Sequence, residues 1–274
     1  MLSSLSMGAN QPQRVGTLLR QWRQRRRVSQ LALACEADIS TRHLSFLETG
    51  RSSPSREMIL RLSEQLNIPL RERNVLLVAS GYAPIFTERQ LDAPALQHVR
   101  QAVDLVLKAH EPYPALTVDR HWKMITANRV VPLMLAGAAS SLLVPPINVL
   151  RLTLHPDGLA KRIANLPVWR AHLLERLTRQ IDLTADPILI DLMSELKSYP
   201  VTSSSQHFRS EERGEYSGVV VPLELVVEDR MLAFFSTTTV FGTPLDITLS
   251  ELALESFFPA DAVTAEVFRK LSPF

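Results

Sequence analysis

One short polar stretch, residues 40–49, holds the side chains best suited to recognition chemistry. At helical spacing, its polar face consists of Thr41, Arg42, Ser45 and Thr49. Leu44 and Leu47 point the other way, which predicts packing against a core. Base edges in the major groove of DNA offer matching donors and acceptors, and a guanidinium pairs well with guanine O6 and N7. The stretch therefore predicts a DNA-reading helix in which Arg42 is the strongest base reader.

The segment 29–51 contains the signals that would position this helix. Ser29 and Ser40 stand where N-caps of two consecutive short helices are expected. Ile39 precedes the second cap and Leu44 lies four residues after that cap, the spacing of a hydrophobic staple. The segment predicts two short helices joined by a tight turn.

Three further helices are predicted around this pair. A first helix is indicated by the i, i+3, i+4, i+7 spacing of Val15, Leu18, Leu19 and Trp22. A fourth begins near Pro54, which suits a first helical position, and a fifth runs from about Leu70 to Ser80. The prediction for the N-terminal part is an all-α domain of five helices.

Length and charge divide the chain into two parts. A chain of 274 residues predicts two domains, because single cores rarely grow past roughly 250 residues. Residues 1–80 hold 12 Arg, no Lys and 6 acidic residues, a net charge of +6, and the remainder carries −4. A basic part of this kind favours a nucleic-acid partner. We expect a cytoplasmic protein without a signal peptide or membrane span, and Cys35, the only cysteine, rules out an intrachain disulfide.

Spaced residue types in the basic part resemble those of the XRE/lambda-repressor-like helix-turn-helix family. They are Leu19-Arg20, Ser29-Gln30, Leu33-Ala34, Ser40, Leu44, Leu47-Glu48, Gly50 and Pro54-Ser55. The resemblance implies sequence-specific binding to double-stranded DNA. We expect a homodimer on paired operator half-sites, because one such domain offers little contact area.

The resemblance also implies individual roles. Thr41, Arg42 and Ser45 would face base edges, with His43 nearer the groove wall. Gln30, Arg51 and Arg27 would reach phosphates. The full set of predicted DNA-binding residues is Gln30, Ser40, Thr41, Arg42, His43, Ser45, Arg51 and Arg27.

Two structural features are implied as well. Arg23 and Glu48 occupy positions that form an ion pair in the family, so a structural pair is expected there. Asp38 and Arg27 stand where the family often has Gly, and both are expected to tolerate the backbone required.

The part of the chain that follows the basic N-terminal region is predicted to form an α+β domain with an antiparallel sheet. One hairpin joins Ala115–Val118 to Trp122–Ala127, and a second joins Val219–Val227 to Met231–Phe241. Pro222 favours either an edge position for its strand or a bulge at that point. Helices are expected between the hairpins, a mobile loop over Ser203–Gly214, and a largely helical tail over Leu249–Arg269. Helices that cross from one hairpin to the other follow the order of a PAS-like sensor domain.

Several runs narrow this to a resemblance to MmyB-like regulators. They are Pro112-Tyr113-Pro114-Ala115, Trp122 with Asn128, Asn148-Val149-Leu150-Arg151-Leu152, His155-Pro156-Asp157-Gly158-Leu159, Phe241-Gly242-Thr243-Pro244-Leu245-Asp246, and Glu251-Leu252-Ala253-Leu254-Glu255-Ser256-Phe257-Phe258-Pro259-Ala260-Asp261. The resemblance implies a bacterial transcription regulator whose PAS-like domain holds a small apolar, fatty-acid-like ligand. The predicted organisation is a disordered tail over 1–13, a helix-turn-helix domain over 14–82, a linker over 83–94 and the PAS-like domain over 95–274.

Candidate ligand-binding residues follow from what such a pocket needs, namely apolar walls and a few polar groups. The candidates are Trp122, Met124, Phe234 and Phe241 as walls, with Arg151 and His155 to bind a carboxylate. The structural alternative stays open: ordinary core for the walls, an Arg paired with an acid, and a His that caps a turn. The domain would then be a dimerisation or protein-interaction module without ligand.

The sequence shows no pattern for catalysis. The seven His residues include no i, i+4 pair, and the nine Gly residues form no phosphate loop. We expect no enzyme activity, no catalytic residues, no metal site and no cofactor beyond the small ligand.

Overall fold

The computed structural model describes residues 14–200, 220–227 and 230–271. The chain divides into two compact units. The first contains the residues up to Thr87 and the short segment Asp182–Thr184, and the second contains the rest of the chain from Glu88. The break between Thr87 and Glu88 falls within the predicted linker 83–94. The predicted tail 1–13 and the predicted loop Ser203–Gly214 lie outside the described residues. Among the helices that are described, none has the length and apolar character that crossing a membrane requires.

The first unit is the predicted set of five helices. They are α1 (Val15–Arg25), α2 (Gln30–Glu36), α3 (Thr41–Glu48), α4 (Arg56–Gln65) and α5 (Leu70–Ala79). Ser29, Ser40 and Ser55 cap α2, α3 and α4, and each hydroxyl accepts a hydrogen bond from a backbone N–H of the first turn. The buried residues include Leu19, Leu33, Leu44, Leu47, Ile59, Leu62, Leu76 and Leu77. Capping and the apolar stripes together explain this all-α fold.

Arg27 and Asp38 have left-handed backbone conformations, with φ of 56° and 51°. Arg27 lies between α1 and α2, and Asp38 lies between α2 and α3. These are the two positions where the sequence replaces a common Gly, so both turns keep the conformation without the residue that adopts it most easily.

The second unit is an α+β domain. Its helices are α6 (Gln97–Ala109), α7 (Val131–Met134), α8 (Val149–Leu154), α9 (Leu166–Thr184), α10 (Pro187–Ser198), α11 (Ile247–Ser250) and α12 (Ala262–Leu271). Its strands are β1 (Ala115–Val118), β2 (Met124–Ala127), β3 (Leu223–Val227), β4 (Arg230–Val240) and β5 (Ala253–Pro259). Both predicted hairpins are present, with α7–α10 between them, and Pro222 precedes an edge strand as expected.

The predicted helical tail over Leu249–Arg269 is wrong in its central part. Residues 253–259 form β5, the middle strand of an antiparallel sheet with the order β2-β1-β5-β4-β3. β5 pairs with β1 on one side and with β4 on the other, from Val240 opposite Ala253 to Phe234 opposite Pro259. Backbone pairing with two distant strands overrides the local helical preference.

Side chains alternate between the two faces of this sheet. Leu116 and Val118 of β1 belong to the large core that includes residues of α8, α9 and α10. Ala115 faces the other way, where it packs with Leu107 of α6 and Leu254 of β5. Glu255, one residue after Leu254, therefore faces the large core.

Candidate functional site

The face of α3 predicted to read DNA is open to solvent. Thr41, Arg42 and Arg51 are exposed, and His43 and Ser45 are partly exposed. Ser40 caps the helix, and its Oγ accepts a hydrogen bond from the backbone N–H of His43 at 3.1 Å. The predicted readers thus share one accessible helix surface and its flank.

Phe46 is a feature of this face that the sequence reading missed. The guanidinium carbons of Arg42 and Arg51 lie 5.3 and 5.8 Å from the centre of its ring. These are cation–π distances, worth roughly 0.5–1 kcal/mol each at exposed positions. The ring therefore orients both cations that were assigned to DNA contacts.

Arg23 and Glu48 form the expected ion pair between α1 and the end of α3. Arg23 Nε and Nη2 donate to the two carboxylate oxygens of Glu48 at 2.6 and 2.8 Å. The Glu48 side chain is only 1% exposed. Burial by itself raises the pKa of Glu48, but hydrogen bonds from Arg23 and Gln30 and the charge of Arg23 bring that pKa below its ordinary value.

The structure gives Gln30 a different contact from the predicted phosphate. Gln30 Nε2 donates to Glu48 Oε2 at 2.8 Å, so the amide supports the buried carboxylate. Its position at the start of α2 brings it within reach of the end of α3. Gln30 in this arrangement contributes to holding the reading helix in place.

Gly16 allows α1 to approach this same helix end. A Cβ atom at position 16 would lie 2.2 Å from the backbone oxygen of Leu47 and 2.9 Å from that of Glu48. Backbone atoms cannot move aside as a flexible side chain would, so only glycine fits here. The close approach gives α3 a second fixed support beside the Arg23–Glu48 pair.

An apolar cavity of about 80 Å³ lies inside the second unit. Its lining is drawn from the inner sheet face and from α7, α8 and α9, and includes Leu116, Trp122, Met124, Met134, Leu150, Leu159, Trp169, Leu173 and Phe257. Trp122 and Met124 were both predicted as wall residues, and the structure brings them together here. Apolar walls with a few polar groups are the composition expected of a small-molecule site.

One end of this cavity is polar. Arg176 of α9 and Glu255 of β5 line it together with Ser236 of β4. Arg176 Nη2 donates to Glu255 Oε1 at 2.7 Å and to Thr238 Oγ1 at 2.8 Å. The Arg176 guanidinium carbon also lies 4.9 Å from the centre of the Trp122 ring. The polar end is thus built from two strands and a helix that are far apart in the sequence.

Trp122 is held in a defined position by one hydrogen bond to Gln180, which is itself fixed by a second. Its ring N–H donates to Gln180 Oε1 at 2.7 Å, and Gln180 Nε2 donates to the backbone oxygen of Arg120 at 2.7 Å. Trp122 also has a left-handed backbone with φ of 64°. A strained, fully hydrogen-bonded aromatic residue beside a cavity is typical of a binding site.

Arg151 and His155 are placed away from the cavity lining. Arg151 forms a bidentate pair with Glu195, with Nε to Oε1 and Nη2 to Oε2 both at 2.7 Å. His155 Nδ1 accepts a hydrogen bond from the backbone N–H of Asp157 at 3.0 Å. Both residues follow the structural alternative, an Arg paired with an acid and a His that caps a turn.

Phe234 and Phe241 also lie apart from the lining. Phe234 is fully buried and packs edge-to-face on Phe257 and Phe268. Phe241 lines a separate apolar groove with Val103 and Val106 of α6. Phe241 directly follows the end of β4, and the last two residues of that strand, Thr239 and Val240, line the same groove.

In the part of the chain that the structure describes, His, Cys, Asp and Glu side chains form no group of three that could hold a metal ion. Cys35 is exposed on α2. Its place in the first helix of the pair predicts a small buried residue, and that prediction is wrong. Among the described residues, the two features suited to binding a partner or ligand are the α3 face and the apolar cavity.

A helix-turn-helix unit with an open reading face, joined to a unit with an apolar cavity, defines the class of DNA-binding regulators that carry a ligand-binding domain. The family model described as "MmyB-like transcription regulator ligand binding domain" matches residues 99–271, and the chain belongs to this family. A second model, described as "Helix-turn-helix", matches residues 19–73. These matches confirm both family resemblances found in the sequence. A comparison with curated proteins gives no match.

Proposed function

We propose that this transcription regulator binds specific DNA sequences through α3 and responds to a small apolar, fatty-acid-like ligand in the cavity of its second unit. The observation that carries the proposal is the apolar cavity whose lining includes the Arg176–Glu255 pair, within the region that matches the ligand-binding family. We further propose that the protein is cytoplasmic, that it has no enzymatic activity, and that it acts as a homodimer on two half-sites.

Support for sequence reading comes from the chemistry of the α3 face. Arg42 is exposed, is oriented by Phe46 and projects from a helix whose other side is fully buried. A guanidinium in this position discriminates guanine from other bases through two parallel hydrogen bonds. Arg51, on the same ring, supplies the second cation and suits a phosphate.

Arg42→Ala tests the reading helix. We expect binding to the promoter region beside the gene to weaken by ~1–3 kcal/mol, with relaxed preference at one base position, because Arg42 would lose a bidentate base contact. Fluorescence anisotropy with a set of single-base operator variants measures both effects. Arg269→Ala removes the same charge from an exposed position on α12 of the second unit and serves as the control. Equal effects of the two variants would contradict the assignment of Arg42.

The size of the cavity bears on how a ligand would enter. A volume of about 80 Å³ is smaller than the roughly 150 Å³ of an engineered apolar cavity that binds benzene. Met124 and Met134 line it, and the flexible side chain of methionine adapts to different shapes. We infer that a chain-like ligand is accommodated by movement of these side chains.

The small volume also favours the alternative in which the second unit is a dimerisation or protein-interaction module without ligand. Native mass spectrometry of the purified full chain, followed by identification after denaturation, separates the two. We expect a bound amphiphile with an aliphatic chain, which adds a defined mass to the folded protein and is released on unfolding. A folded protein of unmodified mass that takes up no added octanoic acid or octan-1-ol would favour the module without ligand.

A further inference from the structure

The polar end of the cavity already contains a matched pair of charges. Arg176 donates to both carboxylate oxygens of Glu255, at 2.7 and 3.2 Å. Thr238 Oγ1 accepts from Arg176 and donates to Glu255 Oε1 at 2.9 Å. The side chains of Arg176 and Glu255 are 18% and 6% exposed. The site is thus nearly closed to water and electrically balanced before any ligand binds.

This balance acts against a charged head group. A ligand carboxylate beside Arg176 would also stand next to Glu255, and two carboxylates in one buried site repel each other. If the ligand displaced Glu255 from Arg176, it would leave a buried carboxylate without its partner, which is strongly unfavourable. A cationic head group meets the same difficulty with Arg176.

The pair nevertheless has hydrogen-bonding capacity to spare. The three bonds above use three of the five N–H donors of a guanidinium, so two remain on Arg176. A carboxylate has about four acceptor sites, and Glu255 uses three of them for Arg176 and Thr238. The end of the cavity can therefore offer both a donor and an acceptor to one incoming group.

We propose that the Arg176–Glu255 pair selects ligands with an uncharged head group that both donates and accepts hydrogen bonds. A primary alcohol, a primary amide and a carboxylic acid that keeps its proton all have this chemistry. The inference rests on the proposed function, because it assumes that the cavity takes an apolar chain. It predicts that a fatty acid binds together with one proton.

The other titratable groups on the same stretch of α9 do not upset this balance. α9 also carries His172, Glu175 and Arg179 around Arg176. Burial first, and then the charges of Arg176 and Arg179, lower the pKa of His172 below its ordinary value, which disfavours a further positive charge beside Arg176. Glu175 and Arg179 are exposed and lie 4.0 Å apart, where water screens them.

The test compares octanoic acid with octan-1-ol on the full wild-type chain, by isothermal titration calorimetry at pH 6.0 and pH 7.5. Both pH values lie above the usual pKa of a carboxylic acid, about 4.3, so binding with one proton weakens roughly tenfold for each pH unit. We expect the affinity for octanoic acid to fall about 30-fold between the two pH values, and that for octan-1-ol to stay within about twofold. Because octan-1-ol does not titrate, it controls for every change in the protein itself.

Two outcomes would overturn the inference, and they differ in what else they overturn. Octanoate that binds equally at both pH values, and more tightly than octan-1-ol, would contradict the head-group proposal and leave the ligand cavity intact. Failure of both compounds to bind would overturn the proposed apolar ligand together with it.

Glu255→Gln provides an independent check. With the negative charge removed and Arg176 retained, octanoate should bind at least tenfold more tightly at pH 7.5 and lose its pH dependence, and octan-1-ol should change by less than about threefold. Glu195→Gln removes an equal charge from the pair with Arg151, away from the cavity, and should change neither. An unchanged pH dependence in Glu255→Gln would contradict the role of Glu255, and thermal unfolding verifies that each variant is folded.

Discussion

Arg23→Ala is expected to destabilise the first unit by about 3–5 kcal/mol, because it leaves the buried carboxylate of Glu48 without its cation. The variant also removes the hydrogen bond from Arg23 Nη1 to the backbone oxygen of Val28. Glu48 is the last residue of α3, so the loss falls on the position of the reading helix. Urea-dependent hydrogen exchange on peptides from residues 14–80 measures the stability of this unit separately from the second.

Two further variants separate the ion pair from a general effect of charge. Arg20→Ala removes an exposed cation three residues earlier and should cost less than about 1 kcal/mol. The double variant Arg23→Met with Glu48→Met should recover most of the loss, because apolar side chains of similar size remove the need for a partner. A double variant as unstable as Arg23→Ala would show that loss of the ion pair is not the cause of the destabilisation.

The pKa of Glu48 fixes the sign of a pH test. Since this pKa is below 4.5 in the folded protein, the pair contributes its stability above pH 4.5 and loses it as pH falls through the lowered value. The difference between wild type and Arg23→Ala should therefore shrink as the pH falls from 7 to below 4.5. A difference that grows in acid would contradict this account of Glu48.

The DNA-reading unit could be predicted from the sequence because its signals are local. Ser29 and Ser40 cap the helices that they precede, and Leu44 and Leu47 lie within two turns of the same helix. Phe46 was missed because a ring between two cations depends on where three side chains turn, which spacing alone does not give.

The centre of the sheet could not be predicted in the same way. Residues 253–259 include good helix formers, and three consecutive residues, Leu254, Glu255 and Ser256, are buried. A strand covered on both faces lacks the alternation of apolar and polar residues by which strands are usually recognised. One partner of β5 is β1, with Ala115 opposite Ser256. These two strands are far apart in the sequence, and no local pattern predicts that they pair.

The misread strand also hid the polar end of the cavity. With Glu255 assigned to a helix, nothing in the sequence connects it to Arg176 on α9. The sequence offers Arg151 and His155 as the groups that could bind a carboxylate, yet Glu195 satisfies Arg151. The apolar walls at Trp122 and Met124 were easier to predict, because both lie in the first hairpin and face inward.

Removal of Arg176 is the corresponding test in the second unit. Arg176→Met is expected to cost about 3–5 kcal/mol, because Glu255 would remain buried among apolar side chains without its cation. The methionine preserves much of the packing against Trp122, so the loss reports the charge. Hydrogen exchange under urea on peptides from residues 95–200 and 230–271 measures the effect.

Arg151→Met is the matched control, because Arg151 also forms a bidentate pair with a glutamate, Glu195, but at side-chain exposures of 44% and 36%. Water screens such a pair, so this variant should cost less than about 1 kcal/mol. Combining Arg176→Met with Glu255→Leu should restore most of the stability and, at the same time, abolish any preference between octan-1-ol and octane as ligands. If Arg176→Met cost no more than Arg151→Met, the pair at the cavity would be as weak as a surface ion pair. That result would contradict its proposed role in selecting the head group of the ligand.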